Sequence, residues 1–270
     1  MNLLRRVGRI ALWFAVAGNA ALAQTPEPPE PVAGQAGKDV VWIPSPRDMV
    51  EKMLDMARVT PRDYVIDLGS GDGRNVIAAA RRGARALGVE YNPDLVGVSR
   101  RAAVAAGVAD KAAFEQGDMF EADISRATVL ILFLLPSNLA KLEAKFRDLK
   151  PGIRIVSNTY EISGWYADET GRTTPCPSWC IASLYVVPAK MAGVWRMPEG
   201  ELMLEQDLQR ISGTFELGGI SLPVENGWLR GDQISFLVNG VDYSGRVTGD
   251  SMEGIAKGRV TRAWNAVRLP

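Results

Sequence analysis

The chain predicts an α/β domain built on an open, mainly parallel sheet, followed by a small all-β meander or barrel-like module. Three observations carry this. The run Val65-Ile66-Asp67-Leu68 passes into Gly69-Ser70-Gly71-Asp72-Gly73 and then into a helix near Arg74, the pattern of strand, tight turn and helix. From there to about residue 187, short apolar runs of strand length alternate with alanine-rich stretches of helix length. From about Ala192 the pattern changes to short alternating runs punctuated by glycine.

Composition limits the function classes. With 270 residues, 47% hydrophobic and 23% charged, the chain can bury one large core and one small one. Its 31 basic and 31 acidic residues leave no positive surplus, so nucleic acid is not an expected partner. The absence of histidine removes His general bases and His metal ligands together, and no metal site is expected. Any proton acceptor must be a carboxylate, Tyr, Lys or water.

Taken in order, residues 1–23 have the form of a secretory signal peptide. Arg5, Arg6 and Arg9 precede a short apolar run, and Ala21-Leu22-Ala23 fits a small-residue cleavage site before Gln24. The apolar run is shorter than the ~20 residues that span a bilayer, so no stable membrane span is expected after cleavage, and the protein is expected to be exported, periplasmic or secreted. Residues 24–39 are rich in Pro, Glu and Gly and read as a linker, because they bury too little to offset their ordering entropy.

A first domain is expected over residues 40–189. Ser45 is expected to cap a helix reaching about Arg58, with Pro46 in its first turn and Met49, Met53 and Leu54 on its buried face. The glycines after the first strand permit positive φ and close approach of a ligand to the backbone. Arg74 stands where a dinucleotide fingerprint needs glycine. A second strand over residues 85–89 ends in Glu90, about 21 residues after Gly69, where a carboxylate accepts ribose hydroxyls. A third strand, residues 112–116, leads into Gly117-Asp118-Met119.

The pattern D-x-G-x-G-x-G over residues 67–73, with Glu90 and Asp118 in register behind it, resembles the cofactor loop of the Rossmann-like class I methyltransferases that use S-adenosylmethionine (SAM). The resemblance implies SAM as cofactor, with Asp118 receiving the adenine amino group. The entrance Val41-Trp42-Ile43-Pro44-Ser45-Pro46, the later Gly88-Val89-Glu90-Tyr91-Asn92-Pro93, and Ser99-Arg100 on the next helix are similar to the lysine methyltransferases of the ATP synthase membrane ring and their prokaryotic relatives. That likeness covers roughly residues 41–187. It implies that Trp42, Pro44, Ser45, Asp67, Gly69, Ser70, Gly71, Gly73, Glu90, Tyr91, Asn92, Asp118 and Met119 surround the cofactor. It also implies an amine acceptor, with protein lysine leading. Small-molecule N- or O-methylation is the alternative, and an exported non-catalytic binding protein on the same fold is the reading from another class.

Acceptor-side candidates follow from the rule that ligands bind beyond the carboxyl ends of parallel strands. A buried fourth strand over residues 128–134 ends in Leu135-Pro136-Ser137-Asn138, where Ser137 and Asn138 either orient an acceptor or cap a helix from about Leu139. That tip lacks the motifs of DNA base methyltransferases. At or beyond the end of a fifth strand, residues 154–159, come Asn158, Tyr160, Trp165, Asp168 and Glu169. A last strand over residues 182–187 completes the sheet, pairing with a short strand near Trp165. Cys176 and Cys180, the only cysteines, are expected to form a local disulfide. Residues 190–270 are read as about eight strands of an antiparallel meander, sheet or barrel that binds a hydrophobic ligand or the acceptor, or serves the fold alone.

Overall fold

The computed structural model describes residues 32–35, 38 and 41–270; the expected signal segment and most of the linker lie outside the described residues. Helix α1 (Arg47–Met56) is followed by β1 (Tyr64–Leu68), α2 (Arg74–Arg81), β2 (Arg85–Glu90), α3 (Pro93–Ala105), β3 (Ala112–Gln116), β4 (Val129–Leu132), α4 (Pro136–Arg147), β5 (Arg154–Asn158), β6 (Glu169–Arg172) and β7 (Ile181–Val186). The seven strands form one sheet in the order β3-β2-β1-β4-β5-β7-β6. Strands β1 to β5 run parallel, and β7 is antiparallel to both β5 and β6. Because the chain leaves β1 toward β2 on one side and returns to β4 on the other, the connections diverge at the carboxyl end of β1 and open a crevice there.

The two-residue period of the strands sorts their side chains between two cores. Val65, Val129, Ile131, Val156 and Leu184 face helices α1 to α3, which contribute Met49, Met53, Leu54, Val76, Ala79 and Val96. Ile66, Leu68, Leu130, Leu132, Ile155 and Tyr185 face α4, which contributes Leu139, Leu142 and Phe146. Asp67 alternates onto the first of these faces, so a carboxylate is buried between strand and helix.

Several local expectations are corrected. Helix α1 starts at Arg47 with Pro46 as its cap residue and no side-chain cap bond; the Ser45 hydroxyl instead accepts a hydrogen bond from Asn158 Nδ2 (3.2 Å). Helix α4 starts at Pro136, capped by Leu135 without a side-chain bond, so Ser137 and Asn138 sit inside its first turn rather than ahead of it. Proline at the first helical position accounts for this, since its fixed φ suits the helix and its missing N–H costs nothing there. The short strand near Trp165 is β6, starting at Glu169. Trp165 itself is buried against Tyr185, with ring centroids 5.7 Å apart.

After residue 190 come β8 (Gly193–Met197), β9 (Gly200–Asp207), β10 (Arg210–Leu217), β11 (Ile220–Pro223), β12 (Glu225–Arg230), β13 (Gln233–Val238), β14 (Val241–Thr248), β15 (Ser251–Lys257) and β16 (Thr261–Arg268). Pairing is antiparallel throughout and closes into a ring, β8-β9-β10-β12-β13-β14-β15-β16 and back to β8. Closure leaves no free edge on these eight strands. The short β11, missing from the expected set, folds back on the second half of β10 after Gly218-Gly219. Trp195, Leu202, Phe215, Leu229, Phe236, Tyr243, Met252 and Trp264 fill the enclosed space. Phe236 stacks on Tyr243 at 4.8 Å, and Trp264 meets both edge-on. This interior is a packed core.

The barrel rests on the first domain through one corner. Gln209 Nε2 donates to the Tyr166 carbonyl, the Arg210 guanidinium lies 3.8 Å over the Tyr166 ring, and Leu208 joins the core beneath α4. The Ala189 N–H donates to the Gly231 carbonyl (2.8 Å). Among the described residues no helix is long and apolar enough to cross a membrane.

Candidate active site

The crevice at the carboxyl ends of β1, β2, β3 and β4 is a cleft with about 920 Å³ of empty volume, its open mouth included. Of the residues expected around a cofactor it is lined by Trp42, Gly69, Glu90, Tyr91, Asn92, Asp118 and Met119. Tyr160 is the acceptor-side candidate on its wall. Lys38, Val41, Ile43, Val89, Leu95, Gly117, Phe133, Leu134, Leu135 and Trp179 complete the lining and were not among the expected site residues.

The glycine turn is held rigidly, and its glycines serve different purposes. The Gly69 and Ser70 N–H groups both bond the Val89 carbonyl (2.8 and 3.1 Å), pinning the turn to β2. Gly69 has φ +74° and faces the cleft. At Gly71, with φ +55°, an added Cβ would lie 2.2 Å from Trp42 Nε1, so the indole of the entrance segment takes the space that sequence reasoning assigned to a ligand. At Gly73, the cap of α2 at φ +78°, a Cβ would lie 2.6 Å from the Phe114 ring. The buried Ser99 hydroxyl reaches the Gly71 and Leu95 carbonyls (2.9 and 2.8 Å), which makes it a support of the turn. Arg74 grips Asp72 through Nε (2.9 Å) and bonds the Ser45 carbonyl through Nη1 (2.7 Å), tying the entrance segment to the turn. Ser70 and Asn75 are buried behind the turn, and Pro44, Ser45 and Gly73 also lie off the cleft wall.

Three carboxylates surround the turn in different states. Glu90, half-buried at the tip of β2, accepts the Gly71 N–H at Oε2 and the Asn92 N–H at Oε1, both at 2.9 Å. Each oxygen retains a further lone pair, so hydroxyl donors from the cleft can join without displacing these amides. Asp118 accepts the Phe120 N–H at Oδ1 (2.9 Å) and the Lys38 ammonium at Oδ2 (2.5 Å), and these bonds, Lys38 foremost, lower its pKa. Asp67, 2% exposed, is different. Burial pushes its pKa up to about 7, Asn75 Nδ2 bonding partly opposes this (3.1 Å), and the charges of Glu90 and Asp72 reinforce it. It stands behind the turn and off the cleft wall.

The other end of the cleft lies past the tips of β4 and β5. Phe133 and Tyr160 stack with centroids 6.4 Å apart and planes 21° from parallel, and Trp179 meets Phe133 edge-on at 6.0 Å. Among the described residues, no charged side chain lines this end with Phe133, Leu134, Leu135, Tyr160 and Trp179. Ser137 is exposed beyond it, and Asn138 is buried in α4 with its Nδ2 unpartnered among the described residues. Asn158 is fully buried beneath the tip of β5, held by Ser45 and Thr159. Asp168 and Glu169 lie at the far edge of the sheet, where Asp168 Oδ2 accepts the Val186 N–H (2.7 Å) and Glu169 pairs with Leu184. Trp179 arrives from the Cys176–Cys180 disulfide loop, a contact between segments with no signal in local sequence.

These features fit SAM. A glycine turn faces the cleft at Gly69, a carboxylate with spare lone pairs stands at the ribose position, and apolar walls of Val89, Leu95 and Met119 flank the path to Asp118. A family model described as the ANTKMT methyltransferase domain matches residues 67–169. The chain is 41% identical over 133 residues to a protein-lysine N-methyltransferase of Saccharolobus islandicus, covering 48% of this chain and 83% of that protein. It is 35% identical over 130 residues to the ATP synthase c-subunit lysine N-methyltransferase of Mus musculus, covering 48% of this chain and 52% of that one, so it spans about half the length of the mammalian relative. Among solved structures, the crystal structure of an RNA methyltransferase from Salinibacter ruber in complex with S-adenosyl-L-homocysteine matches at 40% identity with a TM-score of 0.53, covering 62% of this chain and all of that one.

Proposed function

Since the chain belongs to the family of SAM-dependent protein-lysine N-methyltransferases, we propose that it transfers a methyl group to a lysine side chain of a protein acceptor. The observation that carries this reading is the division of the cleft. Its carboxylates, Glu90 and Asp118, stand at one end and its uncharged aromatic wall, Phe133, Tyr160 and Trp179, at the other, with Gly69 between them.

SAM, when bound, supplies a methyl group on a sulfonium that is electrophilic enough to need no further activation. Glu90 is assigned to the ribose hydroxyls, leaving its two amide bonds in place, and Asp118 to the adenine amino group with Lys38 shared or moved aside. At the far end an ammonium entering between Leu135, Phe133, Tyr160 and Trp179 leaves water and meets no carboxylate; the lost hydration outweighs the ~0.5–2 kcal/mol that attraction to the rings returns, so its proton passes to solvent water. With SAM held by Glu90 and Asp118, these walls would present the amine lone pair to the methyl group, whose bond to sulfur would break as the new N–C bond forms, with S-adenosylhomocysteine as leaving group; alignment and exclusion of water would supply most of the acceleration. No general base of histidine type is needed.

A nucleobase acceptor is a second reading, favoured by the likeness to the Salinibacter ruber RNA methyltransferase. The test is transfer of labelled methyl from SAM into protein and RNA fractions, followed by mass spectrometry of the labelled product. Methyl-lysine is expected; label confined to RNA or to small molecules overturns the lysine reading. Export is proposed as well, supported by the signal-like residues 1–23 and the disulfide. Its test is fractionation of producing cells, with the chain beginning at Gln24 recovered outside the cytoplasm.

A further inference from the structure

We propose that Trp179, positioned by the Cys176–Cys180 crosslink, determines acceptor specificity: with Phe133 and Tyr160 it forms an aromatic wall that selects cationic, alkylated amines over neutral groups of the same shape. This rests on the amine-acceptor reading above.

Four observations lead to it. The three rings come from three separate segments, the tip of β4, the tip of β5 and the loop before β7, and converge on one end of the cleft. They are half-buried, so faces remain open to a ligand. Among the described residues nothing charged lines that end, so no carboxylate competes for an ammonium there. A cation within about 6 Å of a ring centroid is attracted by the ring quadrupole, and a methylated ammonium, losing little hydration, benefits most.

The loop geometry explains how the indole is held. Cys176 and Cys180 close a short ring, with Cα atoms 5.4 Å apart, and the Thr173 N–H bonds the Cys180 carbonyl (2.9 Å). Cys180 is buried in the core beneath α1, and Cys176 packs against that core. Trp179, the residue before Cys180, has φ +51°, a left-handed conformation costly for a bulky side chain. Such a conformation persists when its surroundings fix it. Both sulfurs are thus anchored on the helix side of the sheet, while the indole between them reaches the cleft. Without the crosslink the backbone at Trp179 is free to relax to negative φ and turn the ring away.

The experiment uses the full chain saturated with S-adenosylhomocysteine and two probes, N-acetyl-trimethyllysine amide and its neutral tert-butyl isostere, with affinities measured by calorimetry or NMR titration. The wild type is expected to prefer the cation by roughly threefold to thirtyfold. Trp179→Ala should abolish the preference at unchanged S-adenosylhomocysteine affinity, and Trp179→Phe should restore part of it. The pair Cys176→Ser/Cys180→Ser should reproduce the loss, and adding Trp179→Ala to the pair should change nothing further. A wild type indifferent to charge, or a Trp179→Ala variant that still discriminates, overturns the wall. A serine pair that keeps the preference overturns the positioning role. If the serine pair fails to bind S-adenosylhomocysteine, the Ala and Phe variants alone decide. A chain that methylates no protein lysine yet discriminates through Trp179 refutes the protein-acceptor reading and upholds this one.

Discussion

Glu90 is where a single substitution most directly tests the cofactor end of the cleft. Its carboxylate accepts two backbone N–H groups at 2.9 Å, from Gly71 in the glycine turn and Asn92 at the cap of α3, so it joins turn to helix before any ligand arrives. Hydrogen bonds to a charged group contribute about 1.5–3 kcal/mol each, and the half-exposed position puts these at the low end. Glu90→Ala therefore should cost the unliganded protein about 1–3 kcal/mol. Loss of the bonds assigned to the ribose should also weaken SAM or S-adenosylhomocysteine binding roughly tenfold to a hundredfold. Glu90→Gln keeps one acceptor oxygen but places an amide NH2 against the other N–H, so its effect should fall between wild type and alanine. Calorimetric titration with S-adenosylhomocysteine, run beside circular dichroism to confirm folding, reads both numbers. An alanine variant that binds as tightly as wild type would refute the ribose assignment, and one that binds weakly at full stability would refute the turn-to-helix role.

Three further outcomes follow from the same geometry. Burial raises the Asp67 pKa from 3.8 to about 7, so the folded chain holds a proton that the unfolded chain releases. The associated stability is complete at acid pH and lost as pH rises from about 4 through 7, up to roughly 4 kcal/mol. Asp67→Asn should flatten the unliganded thermal-stability profile over that range and raise Tm above pH 7; an unchanged slope would assign the proton elsewhere. Gly71→Ala forces a Cβ to within 2.2 Å of Trp42 Nε1 at φ +55° and should destabilise by about 1–3 kcal/mol, a loss that Trp42→Ala partly rescues in thermal denaturation; failure of rescue would leave backbone strain as the whole cause. A fragment of residues 24–189 retains every described residue of the cleft wall and should bind S-adenosylhomocysteine like the full chain, with a lower Tm because Tyr166 and the Leu208 site lose their cover. Gel filtration and titration check this, and aggregation or loss of binding would mean that the barrel is part of the fold of the first domain.

Local sequence determined the frame of this protein because the signals concerned are themselves local. A two-residue or helical period, an acid at a strand end and a glycine at positive φ are legible within a few residues, and they located β1 to β5, the turn over residues 67–73, Glu90 and Asp118. The resemblance drawn from those residues identified the family. The alternating runs after residue 192 gave eight of the nine later strands, and the four-residue β11 escaped because it is too short to display a period.

What the sequence left open depends on contacts between distant segments. Closure of the barrel rests on the pairing of β9 with β10 and of β8 with β16, and no single run encodes that choice over an open meander. The reason for glycine at 71 is an indole arriving from residue 42. Asp118 was legible as an acid after the third strand, but its partner Lys38 stands 80 residues earlier, in a stretch read as linker. At the acceptor end, Tyr160 was legible just past the fifth strand, but polar residues near the tip of β4 drew attention to Ser137 and Asn138, whereas folding placed Phe133 and a disulfide-held Trp179 beside Tyr160 on the wall. Aromatic side chains carry no spacing rule that marks them as a site. Only the sheet order, which sets β4, β5 and the loop before β7 side by side, brings the three rings to one place.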